Sequence, residues 1–231
     1  MVRATSVTQR HERVMAILPI LKRTYPKAAC TLDHKTPLQL LVATILSAQC
    51  TDQRVNRVTP GLFRKYKTAA DYASVPAHEL ERDIQSTGFY HNKAKSIRAM
   101  AASLVAEYGG RVPDTMEALT SLAGVGRKTA NVVLGNAFGK NVGVVVDTHV
   151  ARLSQRLGLT SHTAADKIER DLMEIVPQDQ WALWSHLLIH HGRAICTARG
   201  PLCEKCPILE HCPTGEQILA ERRRGQKAKA S

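Results

Sequence analysis

Long apolar runs and aromatic residues are both scarce in this 231-residue sequence. A helix needs about 18 consecutive apolar residues to cross a bilayer, and because no such run occurs we expect no transmembrane helix. Aromatic residues make up only 4% of the chain, and strand-like alternation is nearly absent outside residues 142–146. Since strands favour aromatic and β-branched residues, we predict an all-α fold in which 142–146 is a buried connector or the start of a helix.

Acidic residues are also few, with 20 Asp and Glu against 32 Lys and Arg, so the net charge is +12. A protein this basic is attracted to polyanions, with nucleic acid as the leading candidate and an anionic membrane surface as the second. The alternative is that the charge only keeps the protein soluble. From Glu221 onward five basic residues and one acidic residue give +4, which leaves +8 for the rest. We expect residues 215–231 to form a basic, disordered tail.

Cysteine is sparse outside one short segment. Cys30 and Cys50 stand alone in helix-like apolar surroundings, and we interpret both as small buried hydrophobic residues. The other four follow the spacing C-x6-C-x2-C-x5-C, at Cys196, Cys203, Cys206 and Cys212. Thiols this close in a chain without a secretory signal indicate a metal site, either a zinc ion or an iron–sulfur cluster. Four cysteines already complete the ligand set, so the histidines nearby are interpreted as helix-surface or core hydrogen-bonding residues. These are His186, His190, His191 and His211.

Proline, glycine and small polar residues divide the chain into successive helices. Thr36 followed by Pro37 predicts a helix start. Apolar periodicity predicts a helix over Asn92–Tyr108 that ends at a pair of glycines, with Val105 on its apolar face. Asp114 is predicted to cap a short helix that follows.

Two glycines separated by one residue lie between two helical segments. Because glycine reaches backbone conformations closed to other residues, Gly124-Val125-Gly126 predicts a tight turn of the helix–hairpin–helix type. Such a turn points consecutive backbone N–H groups outward at a helix N-terminus, where they bind a phosphate without reading bases. Arg127 and Lys128 beside the turn favour a DNA-phosphate contact there.

Two residues are candidates for chemistry. Lys128 falls in the first turn of the helix after the hairpin, where the helix dipole disfavours a positive charge and so favours the neutral amine of a nucleophile. Asp147 follows an apolar run at the start of another helix, where it could serve as an acid–base or electrostatic group. The simpler interpretations are a solvated or phosphate-pairing lysine and a capping aspartate.

The chain carries, in this order, LAGVGRKTANVV (122–133), VDTHV (146–150) and the four clustered cysteines. Together these motifs resemble endonuclease III, the iron–sulfur branch of the helix–hairpin–helix DNA glycosylases. LLVATILSAQCTD (40–52) and TGFYHNKAKSI (87–97) extend the resemblance, which spans most of residues 30–213.

The resemblance implies a two-lobed, all-α fold with double-stranded DNA bound in the cleft between the lobes. One lobe would be a six-helix barrel with the helix–hairpin–helix, over residues 31–140. The other would join residues 1–30 to 141–214 and hold a [4Fe-4S] cluster on the four clustered cysteines.

The resemblance also implies a reaction, that of a bifunctional DNA glycosylase and abasic-site lyase of base excision repair. Lys128 would attack C1′ of a damaged nucleotide flipped from the duplex, release the base and, through an imine, nick the strand by β-elimination. Asp147 would stabilise the positive charge that develops on the sugar or assist proton transfer. The family's substrates are oxidised or saturated pyrimidines and abasic sites.

Further residues match positions that contact DNA in the family. Gln49 matches the residue that fills the gap left by the flipped base, and Phe89 the apolar residue wedged into the base stack, with core packing as the alternative for Phe89. His149 could contact the site or the DNA, or hold a structural hydrogen bond. We expect a monomer of a bacterial type, located in the cytoplasm and associated with the nucleoid.

Two other functions stay open at this point. A monofunctional glycosylase for adenine opposite oxidised guanine shares the cysteine pattern but lacks the hairpin lysine, so Lys128 argues against it. A non-catalytic DNA-binding or electron-transfer protein would need neither Lys128 nor Asp147, so the presence of both argues against that function.

Overall fold

The computed structural model describes residues 6–229, with side chains through residue 225. These residues form α-helices, short 3₁₀ helices and loops but no β-strand, which confirms the predicted all-α fold class. No helix in that range is long and apolar enough to cross a membrane. The α-helices are α1 (Val7–Thr24), α2 (Pro37–Leu46), α3 (Asp52–Lys65), α4 (Ala69–Ser74), α5 (Ala77–Ile84), α6 (Tyr90–Tyr108), α7 (Met116–Thr120), α8 (Arg127–Ala137), α9 (Thr148–Arg156), α10 (Ala165–Ile175), α11 (Trp181–Ala194) and α12 (Pro213–Lys229).

Threonine side chains define several helix starts. The Thr36 hydroxyl accepts a hydrogen bond from the backbone N–H of Gln39, which confirms the predicted start of α2. The predicted Asp114 cap is wrong, because Thr115 caps α7 and Asp114 forms an ion pair with Lys140. Both residue types cap helices well, so local sequence did not decide which of the two neighbours would do so.

Residues Cys30–Val142 form one compact unit that contains α2 to α8. Most of α2 is buried in its core. The predicted apolar face of α6 packs into the same core, where Ile97 and Leu104 are fully buried. Periodicity also assigned Val105 to this face, but its side chain is 44% exposed. Position 105 is rotated by about 100° around the helix from Leu104, which turns it towards solvent.

The segments up to Ala29 and from Gly143 onward form the second compact unit, which contains α1 and α9 to α12. Its core includes Trp184 from α11 and Ile17 from α1, both fully buried. Residues 142–146 contain no strand and lead towards α9, and Val144–Val146 are buried, so the predicted connector is confirmed there; Val142 is 37% exposed, and the prediction that it is buried is wrong.

The prediction of a disordered tail over residues 215–231 is wrong for its described part, which continues as α12 to Lys229; residues 230 and 231 lie outside the described range. Arg222 of α12 donates to both carboxylate oxygens of Glu204, at 2.8 and 3.1 Å, and to the carbonyl oxygen of Pro201 at 2.9 Å. Low apolar content predicted disorder because composition does not show a partner elsewhere in the chain.

Candidate functional site

The hairpin Gly124-Val125-Gly126 lies between α7 and α8 and depends on one glycine. Gly124 has φ +74°, and a Cβ on it would lie 2.7 Å from the Cβ of Ser96. Val125 anchors the turn, since its side chain is buried and its N–H donates to the carbonyl oxygen of Leu122 at 3.1 Å. The prediction that consecutive N–H groups point outward is therefore wrong at Val125.

The hairpin leads directly into the N-terminus of α8, where Gly126 occupies the cap position. The first N–H groups of a helix have no partner within the helix and carry partial positive charge, so this end of α8 suits an anion. Arg127 and Lys128 form the first turn, and both are exposed. The Lys128 amine is therefore accessible from outside the fold, beside an end of a helix that attracts phosphate.

Asp147 is the N-cap of α9, as its simpler interpretation predicted. Its Oδ1 atom accepts hydrogen bonds from the N–H groups of His149 and Val150, both at 2.8 Å. The carboxylate is half-buried, and its Oδ2 atom accepts no hydrogen bond from the described residues. One oxygen thus fixes the orientation of the group, which leaves the other for an electrostatic or acid–base role. Lys128 belongs to the unit Cys30–Val142 and Asp147 to the other unit.

His149 is held by neighbours within its own unit. Its Nδ1 atom lies 3.1 Å from the Nη2 atom of Arg152, which also donates to the carbonyl oxygens of Gly192 and Cys196. A Cβ on Gly192 would lie 2.8 Å from Nδ1 of His149, so the ring packs closely against α11. These contacts favour the structural interpretation of His149, and its contact with DNA stays a prediction.

Gln49 and Phe89 share an unusual backbone conformation. In the described part of the chain they are the two non-glycine residues with positive φ, at 52° and 48°. Both side chains are exposed, and the Phe89 ring is 64% exposed, so the core-packing alternative for Phe89 is wrong. A left-handed backbone costs a residue with a Cβ about 1–2 kcal/mol, and such strain clusters at functional sites.

The four clustered cysteines line one cavity in the unit that contains α9 to α12. None of the four forms a disulfide. The remaining wall is mainly apolar and includes Leu153, Ile195 and Ile218. Within the described residues no three cysteine, histidine or acidic side chains converge on one point as ligands of a single ion. The structure therefore brings the four predicted ligands to one cavity.

Hydrogen-bond donors that sequence reasoning missed reach the cysteine sulfurs. Nη1 of Arg156 lies 3.1 Å from Sγ of Cys196 and also donates to the carbonyl oxygen of Thr197 at 2.7 Å. The backbone N–H of Gly215, in α12, donates to Sγ of Cys212 at 3.3 Å. Donors of this kind stabilise charge on thiolate ligands. Arg156 is forty residues from Cys196, so local spacing carried no signal for the contact.

His191 lies within hydrogen-bond distance of a cysteine, and core hydrogen bonding is the correct interpretation for it. Its ring is buried between the Tyr25 hydroxyl, 2.9 Å from Nδ1, and Sγ of Cys206, 3.5 Å from Nε2. Burial lowers the pKa of His191 to about 4. Burial, together with the other three cysteines, raises the pKa of Cys206 to about 11. A bound cation would offset this penalty, because coordination deprotonates a thiol outright.

Cys30 and Cys50 lie outside the cysteine cavity, in the other unit. Both pack against the core, but each is only half-buried and neither lies in a helix. Their interpretation as small buried hydrophobic residues in helical surroundings is therefore correct only in part.

Known proteins resemble this chain over most of its length. Residues 42–178 match the family described as HhH-GPD superfamily base excision DNA repair protein. Endonuclease III of Synechocystis sp. is 54% identical over 210 residues, which cover 91% of this chain and 96% of that protein. Endonuclease III of Bacillus subtilis is 47% identical over 84% of this chain and 88% of that protein.

A solved structure shows the same similarity in three dimensions. The structure of a trapped endonuclease III–DNA covalent intermediate matches with a TM-score of 0.86 and 44% identity. The match covers 90% of this chain and 98% of that one.

We expect Gly124→Ala to lower the free energy of unfolding by about 2 kcal/mol or more, because the left-handed backbone and the contact with Ser96 both oppose a Cβ. Gly126→Ala is the matched control, since a Cβ there meets nothing within 4 Å, and its loss should stay below about 1 kcal/mol. Urea unfolding measures both. Equal losses in the two variants would contradict this account of the hairpin.

Proposed function

The chain belongs to the HhH-GPD superfamily of base excision DNA repair proteins and within it to the endonuclease III family, and we propose that Lys128 is the nucleophile with which it acts on damaged DNA. The protein is a DNA glycosylase and abasic-site lyase, and it binds DNA.

The position of Lys128 is the observation that carries the proposal. Its exposed side chain lies in the first turn of α8, directly after a glycine hairpin at the helix N-terminus. The end of α8 would hold a DNA phosphate without reading bases, with Arg127 adding charge. Phosphate binding there fixes the sugar–phosphate backbone beside the lysine, so that its amine reaches a sugar carbon of the bound strand.

The proposed chemistry conserves atoms and charge at each step. The neutral amine of Lys128 attacks C1′ of the flipped nucleotide, and the N-glycosidic bond breaks with its electron pair leaving on the base. The attached nitrogen gives up one proton to the departing base, and the sugar ring then opens to a protonated imine between C1′ and the lysine nitrogen as the ring oxygen takes up a proton from solvent. Loss of a proton from C2′ then expels the 3′ phosphate, which cuts the strand by β-elimination. Water finally hydrolyses the imine and frees the lysine.

Asp147 is proposed to stabilise the positive charge that develops at the sugar as the base departs. Its Oδ1 atom is fixed by two backbone N–H groups at the start of α9, so the carboxylate has a defined orientation before substrate binds. A preorganised charge needs no reorganisation at the moment of reaction, which makes it more effective than a mobile one. The same group can accept or return the protons that the lyase steps move.

Gln49 and Phe89 are proposed to enter the base stack when the damaged nucleotide leaves it. Both are exposed, and both have a strained backbone that projects the side chain from a short loop. Phe89 suits the role of a wedge, since an apolar ring replaces stacking between bases. Gln49 suits the vacated gap, since its amide can donate to and accept from the base left unpaired.

The four cysteines are proposed to hold a [4Fe-4S] cluster. Their side chains line one largely apolar cavity, and a [4Fe-4S] cluster takes one thiolate for each of its four irons. Arg156 and Gly215 supply hydrogen bonds to the sulfurs. When bound, the cluster would act as a structural clamp on the segment between Cys196 and Cys212.

Substrate range, assembly and location are proposed from the same family membership. Oxidised or saturated pyrimidines and abasic sites are the proposed substrates, bound by a monomer. The net charge of +12 supports association with the nucleoid in the cytoplasm, because an excess of positive charge favours non-specific contact with DNA.

Lys128→Ala should abolish covalent trapping on DNA. Borohydride reduces the imine between enzyme and sugar to a stable amine, so wild-type protein mixed with a thymine-glycol duplex should give a slow-migrating adduct on a denaturing gel. Lys167→Ala is the control, because Lys167 is an exposed lysine of α10, and it should trap like the wild type. Equal trapping by Lys128→Ala would show that another amine is the nucleophile.

Asp147→Asn and Asp147→Ala separate the two roles of this residue. Asparagine keeps a capping oxygen but not the charge, so its stability should stay within about 0.5 kcal/mol of the wild type while excision slows about tenfold or more. Alanine also removes the cap and should cost about 1 kcal/mol in addition. Chemical unfolding and single-turnover excision measure the two effects. Full excision by Asp147→Asn would leave Asp147 as a cap alone.

The purified protein should show the broad visible absorbance of an iron–sulfur cluster, together with about four irons per chain. Cys206→Ser should weaken or abolish the band, because serine supplies no thiolate. Cys50→Ser is the matched control and should retain it, since Cys50 lies outside the cysteine cavity. A colourless wild-type protein that contains one zinc per chain would contradict the cluster.

A further inference from the structure

Lys93 is a buried cation that plays no part in the chemistry above. Its side chain is only 5% exposed, and within the described residues its ammonium group forms no ion pair. Burial lowers the pKa of Lys93, and the nearby Cys50 thiol acts in the opposite direction. Because a buried charge is costly unless polar groups compensate it, the surroundings of this ammonium group must supply a specific partner.

Two backbone carbonyls supply that compensation. Nζ of Lys93 donates to the carbonyl oxygens of Leu46 and Thr87, both at 2.8 Å. Leu46 is the last residue of α2, and Thr87 is the last residue of the 3₁₀ helix Gln85–Thr87. Carbonyls at the C-terminus of a helix lack partners within the helix and carry partial negative charge, so both are suitable acceptors for a cation.

The two anchored carbonyls immediately precede the two strained loops. The chain reaches Gln49 three residues after Leu46, and it reaches Phe89 two residues after Thr87. Gly88 between Thr87 and Phe89 also has positive φ, at 70°. Strained backbone conformations persist only where other contacts hold them in place. The Lys93 ammonium group supplies such contacts to both loops, because it bonds the residue from which each loop starts.

We propose that Lys93 is a positioning residue that holds Gln49 and Phe89 in a fixed spatial relation, so that both side chains enter the base stack from one rigid frame. The proposal rests on the DNA roles proposed above for these two residues, which are forty positions apart in sequence. Phe89 as the wedge and Gln49 as the gap-filling side chain would act at the same flipped nucleotide. If the two loops moved independently, both side chains would less often be in the correct positions at the same time.

Lysine has the properties that such a brace requires. Its ammonium group has three donors at the end of a flexible stem, so one atom can bond two carbonyls that approach from different directions. Methionine has a stem of similar length without any donor. Lys93→Met therefore removes the two hydrogen bonds while it still fills most of the same space.

Hydrogen exchange tests the brace without DNA. In Lys93→Met, exchange of the backbone amides at 47–50 and 88–90 should speed up about tenfold, while the amides in the middle of α8 should keep their wild-type rates. Lys167→Met is the matched control, because it removes an exposed lysine from the other unit, and it should change neither loop. Unchanged exchange in both loops of Lys93→Met would overturn the brace.

A double-mutant cycle tests its consequence for function. With a thymine-glycol duplex, Lys93→Met should slow single-turnover excision about tenfold or more in the wild-type background. In the background Gln49→Ala with Phe89→Ala, the same change should slow excision about threefold or less, because a brace has no effect once the side chains it positions are gone. Equal losses in the two backgrounds would mean that Lys93 supports folding alone, and would overturn the proposal.

Two further results separate the proposals from one another. If Gln49→Ala with Phe89→Ala excises as fast as the wild type, the DNA roles of both residues fail, and the positioning role fails with them. If Lys93→Met does not fold, Lys93→Arg, which keeps a cation and several donors, should restore folding and wild-type exchange in both loops. Failure of Lys93→Arg to restore slow exchange, in a folded protein, would overturn the brace.

Discussion

A helix leaves about four N–H groups unpaired at its start and about four carbonyls at its end, and these groups must find partners wherever the helix ends inside a fold. In this protein the candidate functional groups lie at such ends. Asp147 satisfies the start of α9, and Lys128 lies in the first turn of α8. Lys93 compensates the ends of α2 and of a 3₁₀ helix. The same backbone rule thus orients the Asp147 carboxylate, favours an anion at the start of α8 and provides the acceptors for the buried Lys93 ammonium group.

Short, strained loops follow from this arrangement. A chain that leaves one helix and enters the next within a few residues has few conformations available, and at Gln49 and Phe89 it adopts a left-handed one. An exposed side chain on such a backbone is rigid at its base, which would lower the entropy lost on the proposed contact with DNA. The proposed insertion into the base stack benefits from that rigidity, because unstacking a nucleotide costs a few kcal/mol, which the inserted side chains would help to recover.

Local sequence predicted the features that depend on neighbours in the chain. The glycine hairpin, the Thr36 cap and the buried face of α6 are all set by residues within one or two turns of each other, so their pattern was visible. The family motifs added the candidate residues Lys128 and Asp147 and the four cysteines. Prediction failed at Asp114 because its neighbour Thr115 caps a helix equally well. It failed at Val105 because the apolar face assigned to α6 was wider than the face that is buried.

Contacts between distant segments were beyond sequence reasoning. Arg156 reaches the sulfur of Cys196, and the carbonyls that hold Lys93 are 47 and 6 positions from it. Helical spacing places Lys93, four residues before Ile97, on the buried face of α6 and Lys95 off it, but only the fold shows that Lys93 reaches two helix ends. The basic segment after residue 214 was misjudged for the same reason, since its partner, Glu204, lies in the loop between two cysteines.

The left-handed backbone at positions 49 and 89 also limits how this enzyme can diversify. β-Branched residues such as valine, isoleucine and threonine are the least tolerant of positive φ, so they are disfavoured at both positions whatever their fit to DNA. Asparagine and glycine are tolerated best, but neither provides the reach of glutamine or the stacking surface of phenylalanine. Descendants of this sequence are therefore expected to vary positions 49 and 89 among a small set of unbranched or aromatic residues, and to change elsewhere in the fold more freely.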